Sequence, residues 1–180
     1  MDDQGRFEMK FAVPTLLRNE LIRRAEPHMK PDPKAHRLDK LLPVQNAWGY
    51  AVHSLYFATP ELDDYFERLQ ERKVRNRLRI RTYGSPEGPS PIFLENKRKL
   101  DNRVVKQRVR ICDSHQWRQT QSERPWEPWV DRLDEQSRYA GRHFSWLINT
   151  GRRRPVSIVH YLREVYIPRA PTSGRLRFTL

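Results

Sequence analysis

Over much of this 180-residue chain, charged and apolar residues alternate one by one. A period of two is the signature of a half-buried β-strand and of little else. Residues 76–83 (NRLRIRTY), 91–99 (PIFLENKRK) and 103–111 (RVVKQRVRI) show it in close succession. One face of these runs carries Arg77, Arg79 and Arg81, then Glu95, Lys97 and Lys99, then Lys106, Arg108 and Arg110. The other carries Leu78 and Ile80, Ile92 and Leu94, and Val105, Val109 and Ile111. A solvated charged face over a core is the commonest fate of any one such strand. It explains the set less well, because like charges directly across a strand pair are destabilising. Adjacent strands with two or three cations each need an anion on that face. Of the 35 basic residues 27 are Arg, against 22 acidic residues, for a net charge of +13. Such an Arg excess suits planar, multidentate recognition of phosphate.

The remaining chain predicts an α+β domain over residues 1–180. Arg6–Val13 reads as a strand, with Phe7, Met9, Phe11 and Val13 on one face and Glu8 and Lys10 on the other. A helix is expected from Pro14, striped by Leu17, Leu21, Ile22 and Ala25. Residues 27–47 hold four prolines and read as a loop, and Tyr50–Phe57 as a strand. Thr59-Pro60-Glu61 reads as a helix start, with a capping Thr before Pro at the first helical position. Leu62, Tyr65, Phe66 and Leu69 continue that helix. Residues 113–150 read as helical, broken at Pro125 and Pro128. The last strands span roughly 156–168, with Arg163, and 174–180, with Arg175 and Arg177. Hairpin-like connections make the sheet largely antiparallel. Closed into a barrel with the cations inward and helices outside, it would focus its field on a linear polyanion.

Several classes are disfavoured. No run approaches the ~18 apolar residues that span a bilayer, and the start, MDDQGRFEMK, lacks a secretory apolar stretch. The single cysteine, Cys112, excludes an internal disulfide and fits a reducing cytoplasm. There is no Walker A loop or dinucleotide fingerprint, and six scattered histidines argue against zinc. Nucleic-acid binding is the default for so basic a chain, but the Trp cluster at 117–146 lies in the helical region. Stacking platforms should interleave the cations on the strands.

Two carboxylates stand among the cations. Glu8 and Glu95 each occur as Glu-x-Lys, which sets Glu and Lys side by side on one strand face. Either they hold a divalent metal beside phosphate-binding Lys, or they are local ion pairs that soften repulsion. Spacing alone leaves both open. Glu164 points away from Arg163 and reads as structural.

Phe7-Glu-Met-Lys-Phe11, Ser54-Leu-Tyr-Phe-Ala-Thr-Pro60, Leu78-Arg-Ile-Arg-Thr-Tyr-Gly84, Phe93-Leu-Glu-Asn-Lys-Arg-Lys99 and Tyr161-Leu-Arg-Glu-Val-Tyr166 together resemble the VTC domain. That is the polyphosphate polymerase branch of the triphosphate tunnel metalloenzymes. Arg6 stands where the sister CYTH branch opens with Glu, which favours the VTC branch. The resemblance implies a triphosphate-tunnel-like antiparallel barrel that transfers the γ-phosphate of ATP to polyphosphate, with Mn²⁺ or Mg²⁺. It makes Lys97, Arg79 and Arg81 the catalytic cations. It assigns phosphate contacts to Lys10, Arg79, Arg81, Lys97, Lys106, Arg108, Arg163 and Arg175, and metal contacts to Glu8 and Glu95. The expected partners are ATP and polyphosphate, with a membrane partner left open. Ala58 and Thr179 depart from the family, which has Asp at both places. The chain also stops at Leu180 within a matching strand, so the barrel is expected to be incomplete at its C-terminal side, completed by further chain or a partner chain. A non-catalytic polyphosphate or nucleotide binder is the alternative.

Overall fold

The computed structural model describes residues 9, 11–37, 47–84, 90–101, 103–119, 124–170 and 176–180. Helix α1 (Arg18–Ala25) precedes two short strands, β1 (Met29–Pro31) and β2 (His36–Arg37), and then β3 (Trp48–Ala58). Helix α2 (Asp63–Leu69) leads to β4 (Val74–Tyr83), β5 (Pro91–Leu100) and β6 (Arg103–Asp113). Three helices follow: α3 (Ser114–Arg118), α4 (Glu127–Val130) and α5 (Glu135–Thr150). Strands β7 (Arg154–Pro168) and β8 (Phe178–Thr179) end the chain. The class is α+β, and every strand pair with a defined register is antiparallel. The described residues divide between two compact units, Val52–His160 and a second made of Arg6–Ala51 with Tyr161–Leu180. Strands β3 and β7 run through both.

In the first unit β3, β4, β5 and β6 are neighbours in that order. The alternation does what it predicts here: Leu78, Ile80, Ile92, Leu94, Val109 and Ile111 are buried together. A β-bulge lies between Ile92 and Phe93, where the partners step from Cys112 to Arg110. The extra residue lets Ile111 and Cys112 both enter the core. Helix α5 closes that core with Phe144, Leu147 and Ile148. Phe57, Trp126 and Phe144 meet edge to face in all three pairings, 5.6–6.0 Å apart. The Trp126 indole N–H donates to Ser145 Oγ at 3.0 Å. Gly141 allows α4 its close approach, because a Cβ there would stand 2.8 Å from the Val130 methyls. Asp113 and Gln116 form a reciprocal capping box that starts α3 directly from β6.

The second unit is smaller. Ile22 of α1, Met29 of β1 and Tyr166 of β7 form its core, with Phe178 and Leu180 against them. Beneath it Arg18 makes a bidentate ion pair with Glu164, at 2.5 and 2.6 Å, and the Tyr166 hydroxyl donates to the same carboxylate. Glu164 is therefore structural, as its strand parity indicates. Burial first, then that carboxylate, pushes the Tyr166 hydroxyl far above its ordinary range.

Several expectations need correction. The N-terminal strand finds no support among its described residues. Met9 and Phe11–Val13 lie outside any strand, and Met9, Phe11 and Val13 are exposed. Alternation states which residues share a face but provides no partner ladder. Residues 27–47 are not all loop: β1 and β2 lie within them, paired to β7 and β3. Strands of two or three residues fall below what periodicity can register. Helix α2 starts at Asp63, with Leu62 in the left-handed region (φ 57°), and Thr59 Oγ1 accepts from the Asp63 N–H. The capping Thr is right but serves a start three residues beyond Pro60. Pro128 breaks nothing, since it occupies the first turn of α4, where no N–H is required. Val105 is exposed near the end of the β5–β6 hairpin, and the apolar residues of α2 are exposed too.

Candidate anion site

The ladder between β3 and β6 converts the alternation into rows. Tyr56, Arg79, Glu95 and Arg108 are successive register partners. Ser54, Arg81, Phe93 and Arg110 form the next row, and Arg77, Lys97 and Lys106 the row on the other side. At the centre is Glu95, whose side chain is 1 % exposed. One oxygen, Oε2, receives the Arg79 guanidinium, from Nε at 2.7 Å and Nη2 at 2.6 Å, with Arg81 Nη1 at 3.8 Å. The other, Oε1, faces Lys106 Nζ at 3.0 Å and Arg108 Nε at 3.3 Å. Burial pushes the Glu95 carboxyl up, but Arg79, Lys106 and Arg81 outweigh it and hold it below the usual range. It is an ionised carboxylate beneath four cations.

Those cations have further supports. Arg79 Nη1 donates to the Tyr56 hydroxyl at 3.0 Å, and Arg81 Nε donates to Ser54 Oγ at 2.9 Å. Arg108 lies over the Phe93 ring at 3.6 Å and near Tyr83 at 5.1 Å. Each of these is a charge on an aromatic face or a fixed hydroxyl, so the cations are positioned before any ligand arrives. Arg79 and Arg81 are mostly buried, whereas Lys106 and Arg108 retain 42 % and 37 % of their side-chain surface. The second pair is the more exposed one.

This centre unites Arg79, Arg81, Lys106, Arg108 and Glu95 from the sequence expectation. Lys97 stands one row away, paired across to Arg77 and Lys106. Arg163 belongs to the second unit, where its Nη2 donates to the Tyr161 hydroxyl at 2.5 Å. Glu8, Lys10 and Arg175 lie outside the described residues. Sequence reasoning missed Tyr56, Ser54, Tyr83 and Phe93. The last two share parity with Arg81 and Glu95, so alternation could have found them; the first two need the register. They also amend the argument about stacking platforms, because aromatic rings do interleave these cations. Arg108 lies across the face of one of them.

A divalent metal, which the resemblance implies, needs carboxylate oxygens that are not already answered by positive charge. Glu95 brings one carboxylate that faces four cations. No group of three or more His, Cys, Asp or Glu side chains able to hold a metal occurs among the described residues. Glu95 alone makes no metal site, and Glu8, the other expected ligand, lies outside the described residues. The four cations around Glu95 fit an anion.

The described sheet carries a ladder of basic rows centred on one buried glutamate. The VTC domain family model matches residues 5–180, and the chain belongs to that family. No curated protein matches it significantly. No helix among the described residues is long and apolar enough to cross a membrane.

Proposed function

We propose that the chain is a polyphosphate polymerase domain that transfers the γ-phosphate of ATP to a growing polyphosphate chain. The observation that carries this reading is the charge imbalance at Glu95, where one carboxylate answers four cations. A preorganised surplus of positive charge is what phosphoryl transfer requires, since its transition state spreads charge over peripheral oxygens. A terminal oxygen of the polymer attacks the γ-phosphorus, the bond to the β-phosphate oxygen breaks, and ADP leaves. The nucleophile is already anionic, so no Ser, Cys or His base is needed. Arg79 and Arg81, fixed by Glu95, Tyr56 and Ser54, neutralise the transferring group with Lys97. Lys106 and Arg108 hold neighbouring phosphates. Glu95 acts through them as a positioning residue.

The test is incubation with ATP and Mn²⁺ or Mg²⁺, followed by detection of polyphosphate and ADP. Both products are expected, and both are expected to disappear in Arg79→Glu/Arg81→Glu. Salt-sensitive binding of polyphosphate without either product, in folded protein, would instead identify a non-catalytic polyphosphate or nucleotide binder.

A further inference from the structure

The basic rows do not end at the Glu95 centre. Two residues beyond Arg77 on β4 and beyond Lys97 on β5, Arg75 and Lys99 are direct register partners on the same face. At that end a groove of about 460 Å³ opens, lined by Arg68, Glu71, Lys73, Arg75, Lys99 and Asp101. Its lining is charged throughout. Unlike Arg79 and Arg81, none of Arg68, Lys73, Arg75 and Lys99 forms an ion pair among the described residues. Two cations opposed across a ladder repel, and the groove's four cations exceed its two carboxylates by two positive charges. Two left-handed residues and one backbone hydrogen bond shape the groove. Glu71 and Asp101 both take left-handed conformations (φ 52° each), and the Asp101 N–H donates to the Lys73 carbonyl at 2.8 Å.

We propose that this groove is an outer phosphate subsite, filled by the part of a polyphosphate chain that runs on from the Glu95 centre. The proposal rests on the reading of that centre as phosphate-binding and adds a length requirement to it. Arg79 lies four residue steps along β4 from Arg75, a distance of roughly 13 Å at the rise of a β-strand. A short anion held at Glu95 leaves the groove empty, whereas a long chain reaches both. The groove therefore selects for chain length, and its cations contribute to the affinity of the polymer alone.

The experiment is a titration of the unaltered chain, Lys99→Glu and Lys99→Gln with tripolyphosphate and with long-chain polyphosphate. The acidic replacement faces Arg75 across the ladder, so it adds an ion pair to the fold while cancelling the groove's charge. Lys99→Glu is expected to lose about tenfold in affinity for the long chain, and Lys99→Gln less. Both should bind tripolyphosphate as the unaltered chain does. Equal losses for both ligands, or no loss for either, would overturn the subsite while leaving the Glu95 centre intact. Failure of the unaltered chain to bind tripolyphosphate would reject the centre, and the subsite with it.

Discussion

Glu95 makes the sign of several outcomes predictable. Its carboxylate is fully buried and is the common counter-charge of Arg79 and Arg81, themselves mostly buried. Removing one member of such a cluster leaves cations that water cannot reach, a loss of about 3–5 kcal/mol. Glu95→Gln should therefore lower the thermal midpoint markedly in anion-free buffer. The same variant has one more uncancelled positive charge, so tripolyphosphate should raise its midpoint more than it raises that of the unaltered chain. Thermal scans with and without the ligand measure both, and equal shifts would contradict the role given to Glu95. The pH dependence follows from the same group. Its native pKa is held below its ordinary value near 4.5, so its stabilising contribution is complete above that range. It is lost as pH falls through the lower native value. Denaturant melts at descending pH should show this acid limb in the unaltered chain and lack it in Glu95→Gln. Asp64 has the opposite sign. Burial outweighs the neighbouring Arg153 and raises its carboxyl, so its contribution grows on acidification and cannot be mistaken for that of Glu95.

At the scale of elements, the pattern of the sequence was legible where a strand is long and flanked by neighbours in sequence. The hairpins of β4, β5 and β6 appear within one or two residues of where alternation puts them, because each strand is adjacent to its partner. Long-range pairings were not legible. Nothing in Met29–Pro31 announces that it lies against Tyr166–Pro168, and the exposed apolar face of α2 reads the same as a buried one. The bulge at Ile92 and Phe93 was equally invisible, since an inserted residue looks like any other until the register is known. Gly49 is a case where close packing, not pattern, decides the residue. A Cβ at this position on β3 would stand 1.9 Å from the Arg163 carbonyl oxygen on β7. Gly49→Ala must push the two backbones apart, which should cost about 2–3 kcal/mol in chemical denaturation. A loss below about 0.5 kcal/mol, the size of an ordinary surface substitution, would show that the strands do not meet so closely.

For the molecule as a whole, the net charge of +13 has two components with different consequences. Part of it is diffuse and attracts any polyanion, in proportion to salt-screened field strength. The other part is arranged in rows on β4, β5 and β6, with guanidinium groups fixed by hydroxyls, rings and one carboxylate. A fixed array favours an anion whose charges repeat closely along a line and carry no bulky base between them. The rings that could stack bases, Phe93 and Tyr83, already have the Arg108 guanidinium near them, so the site offers a base little open aromatic surface. Short-chain polyphosphate should therefore displace labelled single-stranded RNA at equal phosphate concentration, and RNA should fail to displace polyphosphate. Raising the salt separates the two components further. RNA binding should collapse as the diffuse field is screened, with polyphosphate binding at the rows falling less steeply because those contacts are short and partly buried. If both ligands lose affinity in parallel and exchange freely, the charge is a coat on the surface and the ordered rows confer no selectivity.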